Sequence, residues 1–151
     1  MMAASIGTVP QSDESRFGHD PLKLLIIEDE ALVAMLVEDA LTLHGHQVTA
    51  IADTLAAALE AVDAERPDLV LCDVKLAEGD CGITAARLIA DRGIPCVFLS
   101  GNCPDQGGHP LIIGCISKPF RPGSLGSAVH AAYAIAKGGR PSEPPATLRL
   151  Y

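Results

Sequence analysis

Five short apolar runs punctuate this chain, and after all but the fourth the apolar residues change from a continuous run to a helical spacing. Lys23 to Ile27 is unbroken aliphatic after its lysine, the composition of a strand covered on both faces. Residues 30–43 then carry Leu32, Val33, Leu36, Val37, Ala40 and Leu41 on one predicted stripe, and Gly45 supplies the stop. Val48 to Ile51, Asp68 to Cys72, Ile94 to Leu99 and Leu111 to Ile116 are the remaining runs. Further helices are expected from an Asp53 cap to about Glu65 with Leu55, Leu59 and Val62 inward, from Ile83 to Asp91, and from Leu125 to Lys137. Such alternation calls for a doubly wound parallel sheet with helices on both faces, because parallel neighbours need a crossover connection. Between the fourth and fifth runs lies only Pro104 to Pro110, with two Gly and two Pro in seven residues. A helix there is expected to be short or disordered.

The ends lack this periodicity. Residues 1–20 are expected to form a flexible leader, 21–138 the domain, and 139–151 a tail rich in proline. Nothing before Asp13 resembles a secretory signal, and no apolar run approaches the length of a membrane span. A cytoplasmic location is the expectation. Lys plus Arg is 11 against 19 Asp plus Glu, for a formal charge of −8, which argues against a nucleic-acid partner. Arg87, Arg92, Arg121 and Arg140 form no basic run. The five cysteines are odd in number and include no C-x-x-C pair. Cys72, Cys96 and Cys115 sit in apolar runs and are expected as reduced packing residues. Cys81 and Cys103 fall in loops with no basic neighbour to activate them. His44 and His46 are expected as exposed turn residues, and His130 as a surface residue of the last helix.

Ligands of doubly wound sheets gather at the carboxyl ends of the strands. The first run ends in Glu28-Asp29-Glu30, the third in Asp73, the fourth in Ser100 and the fifth at Lys118. Taken singly, these acids are equally well explained as helix-terminal charges or turn formers. Taken together, clustered carboxylates resist ionising unless a cation sits among them, and a hard divalent ion such as Mg²⁺ suits oxygen ligands. A lysine, a hydroxyl and an aspartate beside such a cation are the equipment of phosphoryl transfer.

Glu28-Asp29, Asp73, Ser100-Gly101 and Lys118-Pro119-Phe120 together resemble the motif set of response-regulator receiver domains, over about residues 22–137. Asp29 to Asp73 is 44 residues and Asp73 to Ser100 is 27, both suited to that family; Ser100 to Lys118, at 18, is short. The resemblance implies a flavodoxin-like fold with a five-stranded parallel sheet in the order 2-1-3-4-5. It implies that Asp73 accepts a phosphoryl group from a histidine kinase or phosphotransfer protein. Glu28, Asp29, Asp73 and the backbone carbonyl of Lys75 would hold Mg²⁺. Lys118 would pair with a phosphoryl oxygen, its bond to Pro119 would be cis, and Ser100 would close onto the phosphoryl group. Lys75 and Asn102 occupy positions that in this family tune the lifetime of the acyl phosphate. Output would be changed binding to a downstream protein effector, or drainage of phosphoryl groups from the kinase. The only catalysis expected is the protein's own phosphorylation and dephosphorylation.

Three departures from the family pattern stand out. Cys115 occupies the place of an aromatic switch residue, three before the lysine. The helix after the fourth strand is curtailed. The run Phe98-Leu99-Ser100-Gly101 is similar to the Phe-x-Thr/Ser-Gly run of a single-domain subclass of general-stress receivers, but continues to Asn102-Cys103 rather than to a Tyr. In that subclass the Pro104–Pro110 loop would be a candidate order–disorder switch. Two rival readings remain: an interaction module that signals without phosphorylation, which Cys115 favours, and an aspartate-nucleophile phosphatase, which Lys75 disfavours by standing where a second acid belongs.

Overall fold

A computed structural model describes residues 20–140 and 145–151. The expected leader therefore lies outside the described residues up to position 19, as do 141–144 of the expected tail. The elements are β1 (Lys23–Ile27), α1 (Ala31–Leu43), β2 (Gln47–Ala52), α2 (Leu55–Ala64), β3 (Leu69–Asp73), α3 (Gly82–Ala90), β4 (Cys96–Ser100), β5 (Ile112–Ser117), α4 (Pro122–Ala136) and β6 (Leu148–Leu150). The sheet order is β2-β1-β3-β4-β5-β6. The first five strands run parallel, as the alternation of runs and stripes requires.

Successive strand residues serve opposite faces, so the sheet builds two cores. Leu24, Ile26, Leu69, Leu71, Val97 and Leu99 pack with α1 and α4 on one side. Leu25, Ile27, Val70, Cys72, Cys96 and Phe98 pack with α2 and α3 on the other. Phe98 is fully buried, and the aliphatic strands supply most of the remaining volume.

Four expectations need correction. The sheet has six strands among the described residues rather than five, because Leu148–Leu150 pairs antiparallel with β5. Gly114 makes this pairing feasible, since a Cβ there would collide with the Arg149 carbonyl oxygen; strand glycines often mark such close backbone approach. The apolar stripe of α1 is also rotated. Ala34, Val37, Ala40 and Leu41 are buried, whereas Leu32 and Leu36 are 77% and 57% exposed. Small residues face α4 because the two helices approach closely there, and a Cβ on Gly126 would strike the His44 ring. Thr54, not Asp53, caps α2, its side chain accepting from the Ala57 N–H at 3.1 Å. Finally, His46 is buried rather than exposed, and its Nδ1 accepts the Leu22 N–H at 3.1 Å.

Residues 101–111 join β4 to β5 without a helix. The segment is tied down from three sides. Cys103 is disulfide-bonded to Cys115, the Tyr151 hydroxyl donates to the Pro104 carbonyl at 2.7 Å, and His109 meets Asp91 at 3.0 Å. The edge of the Tyr151 ring stands against Phe98 with centroids 6.3 Å apart. Cys115, expected as a reduced packing residue, is thus joined to the loop residue Cys103. Their even partnering was hidden by the odd total, and only the fold brings position 103 over the middle of β5.

Candidate functional site

Strand register gathers the site. Ile27 lies opposite Cys72, so Glu28 and Asp73 follow side by side at the ends of β1 and β3. Asp73 lies opposite Leu99 and Ser100 opposite Ser117, which sets Ser100 and Lys118 one step further along the same edge. The Lys118 N–H donates to the Ser100 carbonyl at 2.9 Å, extending the β4–β5 pairing up to the lysine. Beneath Asp73, α3 begins with Gly82 against the Asp73 carbonyl, a contact that a side chain would block.

The ammonium of Lys118 donates to Glu28 Oε1 at 2.7 Å and to Asp73 Oδ2 at 3.3 Å. Glu28 Oε2 accepts from the Glu30 N–H at 3.2 Å, and Asp73 Oδ1 from the Lys75 N–H at 3.4 Å. Both contacts to Asp73 are long, so the lysine is anchored on Glu28 and leaves the Asp73 carboxylate weakly engaged. Glu28, Asp29 and Asp73 each offer an oxygen within 4.8 Å of the others. Glu28 is only 2% exposed. Burial pushes its pKa up from 4.5 to about 7, although the Lys118 hydrogen bond pulls the other way. Burial opposes the charge on Lys118 as well, but the hydrogen bond and charge of Glu28, joined by Asp73, outweigh it and raise the lysine pKa.

Asp29, Asp73, Lys75, Ser100, Gly101, Asn102 and Lys118 line one open cleft of about 470 Å³. Ser100 is buried at its wall, with Oγ accepting from the Asn102 N–H at 3.1 Å. The Lys118–Pro119 peptide is cis. Pro119 and Phe120 leave the cleft and line an adjoining apolar hollow with Val33 and Leu36. Cys115 does not reach the cleft; it is buried in the α2–α3 core. Cys72 and Cys96 are buried thiols raised in pKa by that burial. His130 is exposed on α4, apart from this cluster.

The Gly82 contact under Asp73 carries no signal that a reading of strand ends finds, and neither do the Cys103–Cys115 bond and Tyr151, which border the connection after Ser100. Gly114 inside an apolar run was the one sequence hint of an approaching backbone.

An acidic pocket beside a lysine and a hydroxyl, at the carboxyl edge of a parallel sheet, can bind a divalent cation and present an aspartate to a phosphoryl donor. A family model described as the response regulator receiver domain matches residues 24–130. The phyllosphere-induced regulator PhyR of Methylorubrum extorquens is 32% identical over 126 residues, covering 80% of this chain and 47% of the relative. The transcriptional regulatory protein PdtaR of Mycobacterium tuberculosis is 40% identical over 121 residues, covering 74% and 57%. The chain thus spans about half the length of these curated relatives. The solution structure of the PhyR receiver domain from Erythrobacter litoralis aligns with a TM-score of 0.64 at 30% identity, covering 83% of this chain and 96% of that one. Among the described residues, no helix is long and apolar enough to cross a membrane.

Proposed function

Because this chain belongs to the response-regulator receiver family, we propose that it accepts a phosphoryl group on Asp73 and signals through changed binding to a protein effector. The observation that carries this reading is the Lys118 ammonium, which bridges Glu28 and Asp73 inside a cluster of three carboxylates. In the transfer, an Asp73 oxygen attacks phosphorus, the bond from phosphorus to the donor's imidazole nitrogen breaks, and the imidazole leaves. Lys118 neutralises charge on the transferring oxygens from its anchor on Glu28. The Ser100 hydroxyl donates to a phosphoryl oxygen once it turns from the Asn102 N–H, while Lys75 and Asn102 at the cleft mouth govern the approach of water. Gly101 beside Ser100 adds no side chain to obstruct the turn. The oxygen-only donor set fits Mg²⁺: Glu28, Asp29, Asp73 and the Lys75 carbonyl would hold it, and it would supply positive charge among the three clustered acids. Similarity to PhyR and the Phe98–Gly101 run support a general-stress role for the signal.

Incubation with Mg²⁺ and acetyl phosphate is expected to add one phosphoryl group to the intact mass. No adduct with either acetyl phosphate or a phosphohistidine protein would sink the reading. Rapid turnover of many phosphates per chain would favour a phosphatase instead.

The raised Glu28 pKa makes a separate prediction. Between pH 4.5 and about 7 the folded protein holds a proton that the unfolded chain has released, so stability without divalent cations declines as pH rises through that window. The loss is on the order of 3 kcal/mol. Mg²⁺ needs the ionised carboxylate, so its stabilising increment grows as pH rises through about 7. Thermal melts at pH 5.5 and 8, with Mg²⁺ and with chelator, measure both slopes.

The phosphodonor's docking surface is the outward face of α1. Leu32, Met35 and Leu36 are exposed there, and Leu36 runs into the apolar hollow that shares Lys118 with the cleft. Continuity with the acceptor site suits a helical donor carrying phosphohistidine. Leu36→Asp is expected to slow transfer from such a donor by about tenfold or more. Labelling by acetyl phosphate should be unchanged. Equal loss with both donors would show damage to the cleft rather than to docking.

A further inference from the structure

We propose that Cys103 and Cys115 are a redox modification site, exchanging with small-molecule dithiols and disulfides and so setting the freedom of the segment that follows Ser100. The two residues are bonded with Cα atoms 5.9 Å apart and twelve positions apart in the chain. They differ in access. Cys115 is fully buried on β5, opposite Phe98 and Arg149, whereas Cys103 is partly exposed at the start of the helix-free connection. An incoming thiolate therefore reaches the Cys103 sulfur first. The S–S bond breaks, and the Cys115 sulfur leaves as a thiolate that takes a proton. The reagent's second thiolate then resolves the mixed disulfide and frees Cys103. Two electrons pass to the pair while the dithiol becomes a disulfide; a small-molecule disulfide drives the reverse.

The site's reach follows from its position. Cys103 immediately follows Asn102, whose N–H holds the Ser100 hydroxyl. Its bond to Cys115 is the covalent restraint on residues 101–111. The other ties are largely solvent-facing: His109 meets Asp91 at 3.0 Å with that aspartate 67% exposed, Arg149 meets Asp105 at 3.7 Å with that aspartate 98% exposed, and Tyr151 reaches Pro104 from an exposed C-terminus. Opening the disulfide leaves the connection on these ties, with neither a helix nor a buried polar network behind them. In a reducing compartment such bonds are characteristically transient, whereas Cys72 and Cys96 stay enclosed as thiols. The consequence for phosphorylation rests on Asp73 being the acceptor. Turning the Ser100 hydroxyl toward the phosphoryl group is disfavoured by a tethered neighbour and becomes more favourable when the tether opens.

The test uses the full chain carrying Cys81→Ser, which removes the exposed free thiol, equilibrated with oxidised or reduced dithiothreitol. Reduction should proceed without unfolding and, after an acid quench and alkylation in denaturant, raise the count of alkylated thiols read by mass by two. Amide exchange over residues 101–111 should quicken about tenfold on reduction, and affinity for the phosphoryl mimic beryllofluoride with Mg²⁺ should rise about fivefold or more. Cys103→Ser, at the more accessible position, should match the reduced form and ignore dithiol. Equal amide exchange in both redox states, or reduction only after global unfolding, overturns the proposal. So does a Cys103→Ser chain that still responds to dithiol. Failure to bind beryllofluoride in either state counts against the phosphoacceptor reading instead, since thiol counts and amide exchange are read without it.

Discussion

Asp73→Asn is expected to abolish the phosphoryl adduct while leaving the fold intact. Asn matches the shape of Asp and keeps the packing of a residue buried at the end of β3. Its amide lacks the anionic oxygen that attacks phosphorus, and either of its two orientations places one oxygen fewer before Lys118 and the cation. Lys118 retains its 2.7 Å bond to Glu28, so the cleft does not collapse. Removing one charge from three clustered acids also relieves repulsion, and the variant should melt no lower than the parent in chelator above pH 7. Intact-mass measurement after acetyl phosphate and Mg²⁺ checks the first expectation. A persistent adduct would move the acceptor to another residue.

Gly82→Ala is expected to damage stability and phosphorylation together. A Cβ at this first residue of α3 would overlap the Asp73 carbonyl oxygen, and would lie 2.7 Å from the Asp73 carbonyl carbon and 2.9 Å from the Val74 Cα. These are backbone atoms, so no rotamer change relieves them. Either α3 lifts from the sheet or the end of β3 moves. The cost is about 3 kcal/mol, a fall in melting temperature of about 10 °C. Because the displaced atoms belong to the acceptor itself, initial rates of labelling by acetyl phosphate should drop even well below the melting temperature. Gly101→Ala is the control. Its Cβ would meet nothing within 4 Å, so stability should change by less than about 0.5 kcal/mol. An unchanged Gly82→Ala melt would mean that α3 does not seat on Asp73.

The legible parts of this molecule were those written in short stretches of chain. Leu24 to Ile27 reads as a doubly covered strand without reference to any other segment, and the structure buries all four residues. The chemistry at the strand ends was equally visible, because a parallel sheet brings the carboxyl ends of β1, β3, β4 and β5 to one edge whatever the helices do. Glu28, Asp29, Asp73 and Lys118 accordingly meet in one cluster. The missing helix between β4 and β5 followed from its own glycines and prolines.

The errors share a different cause. Leu outweighs Ala in any local measure of hydrophobicity, which turns Leu32 and Leu36 inward on a local reading, yet closeness between α1 and α4 selects Ala34 for burial beside the expected Val37, Ala40 and Leu41. Leu148–Leu150 is too short to announce a strand after two prolines, and becomes one only because Gly114 leaves room on the edge of β5. The odd cysteine count argued against pairing, but count says nothing of which sulfurs the fold brings together.

Sequence alone therefore determined the parallel layout and the acidic edge with its lysine, since hydrophobic period and strand-end chemistry are properties of contiguous residues. Tertiary structure decided which face of α1 looks outward, that β6 closes the sheet, that α3 seats on the acceptor's carbonyl, and that Cys103 joins Cys115. Each of these depends on the distance between segments remote in the chain, and that distance is set by how side chains from both cores fill space.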